Sequence, residues 1–283
     1  MKTSSLIPTT IRIVRRGATP VFADIDPVTL NLDPQDVSAR ITDRTRAIIA
    51  VHLFGRPAPL EALAQLGVPI LEDAAQAFGA RGIARSGVLS TFSFYPTKNL
   101  FCLGDGGLVA ATDEALADRV RLLRFHRSRD KVDFELVGYN SRLDELQAAI
   151  LRVFLPHLEG WTRARRDAAA RYAELGLGEV CELPEDDGAH VYHVYVVRTP
   201  ERARLAEALS AAGIGNASYY VTPLHLQPPL RQYGEGEGSL PETERASREN
   251  LALPMWAGVE SDVQERVVSV MRQASTLGVL GSR

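Results

Sequence analysis

"RAIIAVHLFGRPAPLEALAQLGVPILED", residues 46–73, decides the fold. "RAIIAVHLF" is a continuous apolar, β-branched run, as a strand buried on both faces requires. "PLEALAQLG" sets leucines at helical spacing and ends on glycine, which closes a helix in the left-handed region. "VPILED" is a second buried strand. Strand, helix and strand in so short a span form the unit of a parallel sheet with helices on its faces. The same rhythm begins upstream. "TPVFADID" (19–26) reads as a strand, and "DPQDVSARI" (33–41) as a helix with proline just inside its start.

Downstream the rhythm changes. "STFSFY" (90–95) alternates as a strand, "LGDGG" (103–107) supplies turn residues, and "LVAAT" (108–112) is the strand beyond. Thr112 is placed to cap a helix through "DEALADRVRLLRF" (113–125), with acids in its first turn and arginines in its last. "NSRLDELQAAILRVFLPHLEGW" (140–161) opens a long helical region. There Ser141 and Asp144 have capping-box spacing, Leu143, Leu146, Ile150 and Val153 make an apolar face, and Pro156 breaks the helix. A second amphipathic run, 161–175, leads to a smaller unit. It holds a strand "HVYHVYVVR" (190–198), a helix "ERARLAEALSAAG" (201–213) and a last helix near "DVQERVVSVMRQA" (262–274). "YGEGEGSLPETE" (233–244) reads as a polar loop, and "LGVLGSR" (277–283) as a fraying end. The expected organisation is a large α/β unit with a mostly parallel sheet, 1–160, and a smaller α+β unit, 161–283.

Composition narrows the function. The 283 residues are 45% hydrophobic and 24% charged, ordinary for a globular enzyme or binding protein. With 32 basic and 35 acidic residues the net charge is −3, so no global field favours nucleic acid or anionic lipid. The arginines at 163, 165 and 166 read as the solvated face of a helix. Cys102 and Cys181 make neither a disulfide framework nor a zinc pattern, and a reducing cytoplasm suits them. With no histidine close in sequence, Cys102 is core filler. No run has the length of a membrane span, and the N-terminus lacks the core of a signal peptide.

Ligands of parallel α/β sheets bind at the carboxyl ends of the strands. Asp73 ends "VPILED", Gln76 follows it, and Lys98 closes "FSFYPTK" before the glycine turn. Alone, Asp73 is a helix cap and Lys98 a solvated cation. Together, a carboxylate and a lysine on neighbouring strand ends match what pyridoxal phosphate chemistry needs. The lysine forms a Schiff base with the cofactor aldehyde, and the acid keeps the ring nitrogen protonated. Glycines beside the lysine allow close approach.

"GATPVFADID", "LEDAAQAFGA", "TFSFYPTKNLFCLGDGGLVAATDE", "GYNSRLDELQAAIL" and "PLHLQP" resemble the DegT/DnrJ/EryC1/StrS aminotransferases. The resemblance implies the aspartate-aminotransferase fold (type I), pyridoxal 5'-phosphate, and transfer of an amino group from glutamate or glutamine to a nucleotide-linked keto sugar. By position it makes Lys98 the Schiff-base lysine, Asp73 the acid on the ring nitrogen and Gln76 the amide near the ring hydroxyl. Ser93 becomes a phosphate-binding hydroxyl, and Asn140 reaches the phosphate of a partner subunit in a homodimer. His225 and Tyr95 are candidates for substrate contact or for packing.

Departures stand beside it. Family members begin with a further segment carrying a phosphate-cradling turn and part of the sheet, so uncovered apolar surface is expected here. Leu6 falls near a position where the family often stacks an aromatic, Val88 where Gly-Asp is common, and Phe125 where asparagine is frequent. Two other readings follow. One is a catalytically impaired fragment or partner of a full-length paralogue. The other is a dehydratase of the same fold, a branch that carries histidine at the lysine position.

Overall fold

The structure, a computed structural model, describes residues 6–85, 87–126, 137–186 and 188–280. Four strands, β1 (Ile48–Val51), β2 (Ile70–Asp73), β3 (Leu89–Ser93) and β4 (Gly107–Ala111), lie side by side in chain order. The first three are parallel, with Val51 opposite Asp73 and Asp73 opposite Thr91, and β4 runs antiparallel to β3. Two further strands, β5 (Tyr195–Arg198) and β6 (Asn250–Leu253), pair antiparallel as a separate sheet. The helices are α1 (Leu6–Arg15), α2 (Pro34–Arg40), α3 (Leu60–Ala64), α4 (Glu114–Arg124), α5 (Glu145–Phe154), α6 (Leu158–Glu174), α7 (Arg202–Ala211), α8 (Pro241–Glu249) and α9 (Ser261–Leu280).

Each sheet has its own core. Val37, Leu60 and Leu63 of α2 and α3 pack on Ile48, Ala50 and Ile70 of β1 and β2. Tyr195, Val197 and Leu251 of the second sheet pack with Tyr172 of α6, Leu205 and Leu209 of α7, and Val267 and Met271 of α9. α6 joins the two: Leu158 packs beside Phe94 and Leu151, while Ala169 and Tyr172 lie in the second core. Pro156 sits in a 3-10 turn, Leu155–His157, between α5 and α6. Its ring removes a helical hydrogen bond, and the tighter turn takes up the break.

Several local expectations are corrected. Residues 19–26 form no strand. Pairing is confined to the bridge of Ile25 with Leu32 and its flanking bonds, Asp26 N–H to Asn31 O and Asp33 N–H to Asp24 O. Beside it lies a cavity of about 790 Å³ walled by Ile13, Val21, Phe22, Ile48, Val51 and Leu71. Asp113, not Thr112, caps α4, its carboxylate accepting Leu116 N–H at 2.8 Å. Asp144 is likewise the cap of α5 rather than the third residue of a box. The face of α5 is also rotated. Leu146 and Val153 are 67% and 64% exposed, and Leu143, Leu151, Phe154 and Leu158 do the packing. α8 begins inside the stretch read as a loop, with Pro241 in its first turn. Residues 190–194 precede β5 instead of belonging to it.

Candidate active site

β2 ends on Asp73, and both of its carboxylate oxygens are held. Oδ1 accepts the Ala75 N–H at 3.1 Å and Oδ2 accepts the Thr9 hydroxyl at 2.6 Å. No helix follows Asp73, so it is not a cap. Thr9 lies 64 residues away in sequence and is delivered by α1, whose contribution the residue pattern did not reveal. Its signal was present: Ile7, Ile11 and Val14 recur at helical spacing.

Lys98 does not end a strand. β3 stops at Ser93, and Lys98 sits in a loop whose base is Cys102 N–H on Phe94 O at 2.8 Å. Lys98 N–H closes a turn on Tyr95 O, also at 2.8 Å. Cys102 is fully buried with its thiol on Phe94 O, in keeping with a packing role. Gly106 and Gly107 are required where they stand. A Cβ would come within 2.9 Å of Cys102 Sγ at Gly106 and within 2.7 Å of Phe92 O at Gly107. Burial pushes the Lys98 amine below the usual lysine range, and the Asp73 carboxylate opposes that shift. Acid and amine are therefore close enough to act on each other.

Gln76 is buried. Its Oε1 accepts Phe54 N–H at 2.7 Å and its Nε2 donates to the Tyr220 hydroxyl at 3.1 Å. Ser93 ends β3, and its Oγ accepts Tyr95 N–H at 3.3 Å. Asn140 is exposed, bridges Phe125 through the backbone and meets none of these side chains among the described residues. α5 begins at Glu145, so Asn140 does not stand directly before a helix start. His225 is buried with Nε2 3.0 Å from Glu244, a packing position, while Tyr95 is 51% exposed. Of the arginine cluster, Arg165 and Arg166 are not simply solvated. Arg165 donates to Tyr192 O and Met255 O, and Arg166 to His190 O. The Leu6 side chain lies outside the described residues. Arg142 lies over the Phe125 ring at 5.3 Å. Among the described residues no cluster of metal ligands occurs, and no helix is long and apolar enough to cross a membrane.

This donor set fits a heteroaromatic aldehyde phosphate. It holds an acid fixed by two donors, an amine whose pKa burial lowers, an oriented carboxamide and a hydroxyl at a strand end. A model of the DegT/DnrJ/EryC1/StrS aminotransferase family matches residues 1–272. A pleiotropic regulatory protein of Geobacillus stearothermophilus is 46% identical over 269 residues, 90% of this chain and 72% of its own length. A dTDP-3-amino-3,4,6-trideoxy-alpha-D-glucose transaminase of Streptomyces venezuelae is 43% identical over 270 residues, 91% and 71% of the two chains. The crystal structure of NtdA from Bacillus subtilis, with bound cofactor PMP, superposes with a TM-score of 0.90 at 28% identity, covering 98% of this chain and 67% of that one.

Proposed function

The chain belongs to the DegT/DnrJ/EryC1/StrS aminotransferase family and has its type I fold, and from that footing we propose that it moves an amino group from glutamate or glutamine to a nucleotide-linked keto sugar with pyridoxal phosphate. The observation that carries this reading is the opposition of Asp73 and Lys98, an amine shifted by burial in the field of an acid.

Bound pyridoxal phosphate supplies an aldehyde for the amine and a ring that withdraws electrons. The protein's own groups do the rest. Lys98 would hold the cofactor covalently, and its Nζ would be the group that moves the proton. A lowered pKa raises the share of free base at neutral pH. Asp73 would hold a proton on the ring nitrogen, and Thr9 with Ala75 keeps its carboxylate in place. Gln76 spends Oε1 on Phe54, which turns its amide protons toward Tyr220 and leaves them the end that would meet the ring hydroxyl. Ser93 accepts from Tyr95, so its own proton is free to donate to the phosphate.

Asn140 would reach the cofactor phosphate of a second subunit. The exposed face of α5, with Leu146 and Val153, together with Leu108 and Val109 of β4, supports a homodimer contact there. The unit boundary belongs near residue 160, where α6 passes from one core to the other. Both cysteines are free, buried thiols, which suits a reducing cytoplasm.

Addition of pyridoxal phosphate to the protein is expected to give the absorbance band of a lysine-bonded cofactor, absent in Lys98→Ala. Coincident spectra for wild type and variant refute the assignment. Retention of the donor's nitrogen in the sugar product separates transamination from dehydration.

A further inference from the structure

We propose that Asn99 and His193 form a positioning pair that fixes the direction in which Lys98 leaves its loop. The inference rests on the aminotransferase reading and adds two residues to it.

Asn99 directly follows Lys98 and is buried. Both ends of its amide are spent on the segment that leads into β5. Nδ2 donates to Val191 O at 2.8 Å, and Oδ1 lies 3.2 Å from His193 Nδ1. A backbone carbonyl only accepts, so Nδ2 is the end that faces Val191, and Oδ1 is left to accept from the imidazole. This settles the tautomer: Nδ1 carries the proton and Nε2 is bare.

The segment is itself held. Val191 N–H donates to Gly55 O at 3.0 Å and His193 N–H to Phe54 O at 2.9 Å. At Gly55, with φ +100°, a Cβ would lie 2.9 Å from His193 N and 3.1 Å from Gln76 O, so only glycine permits this crossing. Phe54 N–H in turn binds Gln76 Oε1 at 2.7 Å. A continuous path results. It runs from Lys98 through Asn99 to the 191–193 segment, on to the Phe54–Gly55 turn and from there to Gln76. Every link is a hydrogen bond or a peptide bond. The amine is thereby fixed relative to the amide that flanks the proposed ring.

The imidazole acts through geometry and not as a proton carrier. Burial together with the nearby Lys98 and Arg165 cations pushes His193 down to about 3, so it stays neutral. A charged imidazole there would repel the amine it orients.

Two measurements test the pair. The first is nitrogen NMR of the full chain labelled in histidine, without added cofactor, with His193→Gln to assign the signal. One histidine is expected to keep the Nδ1-protonated neutral form from about pH 5 to 8. Ordinary titration in that range, or the opposite tautomer, overturns the proposal. The second compares Asn99→Ala and His193→Leu with His193→Gln, whose amide restores a donor to Asn99. The first two are expected to lose kcat on the order of a hundredfold, with KM changed by less than about threefold and the pH midpoint of the cofactor absorbance displaced. His193→Gln is expected to recover a large part of both. Unchanged kcat and midpoint in His193→Leu show that the pair positions nothing. If wild type itself forms no lysine-bonded cofactor band, the aminotransferase reading fails, while the NMR result judges the pair independently.

Discussion

Replacing Glu72 by glutamine offers a severe test of how the sheet beneath the site is held. Glu72 is 1% exposed in β2, and three donors converge on its carboxylate. Oε2 lies 3.0 Å from His52 Nε2 and accepts Ala84 N–H at 2.7 Å, and Oε1 accepts Gly87 N–H at 2.8 Å. His52 Nδ1 accepts the Ala58 N–H at 2.9 Å, so the imidazole is neutral and its proton is on Nε2, facing the acid. Burial raises the Glu72 pKa, but the bonds from His52, Ala84 and Gly87 outweigh it and leave the carboxyl below its usual range. In Glu72→Gln the amide oxygen keeps His52 and Ala84 best, and the NH2 then confronts Gly87 N–H. One charge-assisted bond of about 1.5–3 kcal/mol is lost and two weaken, offset in part by easier burial of an amide, for a net cost of about 2–3 kcal/mol. At about 2–4 °C per kcal/mol, Tm falls by about 5–10 °C at pH 7. The folded pKa is lowered, so the stabilisation is complete above the unfolded value, about 4.3, and disappears as pH drops through the folded one. The gap between wild type and variant must therefore close on acidification. Thermal unfolding followed by circular dichroism at neutral and acid pH measures both effects. A Tm within about 1 °C of wild type at pH 7, or a gap that widens in acid, refutes the reasoning.

Three further outcomes are expected. Thr9→Val removes one donor from Asp73 and weakens cofactor retention about tenfold, read by spectrophotometric titration; equal affinities would remove Thr9 from the site. Asp24 caps α8 from across the chain, accepting Glu242 N–H at 3.0 Å and Thr243 N–H at 2.8 Å, and Asp24→Ala costs about 1–2 kcal/mol by urea unfolding. Burial raises the Asp24 pKa, but the bonds from Thr243, Glu242 and Ile25 bring it below the ordinary carboxyl value, so this loss also fades as pH falls through the folded pKa. Leu146→Asp, on an exposed position of α5, is expected to leave a folded monomer in sizing chromatography run at several concentrations; an unchanged dimer would place the contact elsewhere.

What the residue pattern disclosed, and what it hid, has a physical division. The runs at 46–54 and 68–73 announced β1 and β2 because strands covered on both faces are apolar throughout. Residues 19–26 have the same composition yet form no strand, since a strand is completed by a neighbour that no single window displays. Helix α5 was legible as a helix, but its buried side was misread: Leu146 and Leu143 are equally apolar, and only the sheet decides which one packs. Asp73, Gln76 and Lys98 lie within one short span and were found together, whereas Thr9, Tyr220 and His193 come from distant segments. "HVYHVYVVR" alternates so cleanly that His193 was absorbed into a strand, when it crosses over the Phe54–Gly55 turn.

Glu72 and Asp73 are consecutive acids on one strand, and pleating sends them to opposite sides of the sheet. The scaffold surrounds the first with three donors, and Thr9 and Ala75 hold the second. A two-carboxylate dyad, in which one partner is forced to stay protonated, is thereby avoided. Asp73 faces the Lys98 amine, while its twin a single peptide bond away serves as masonry.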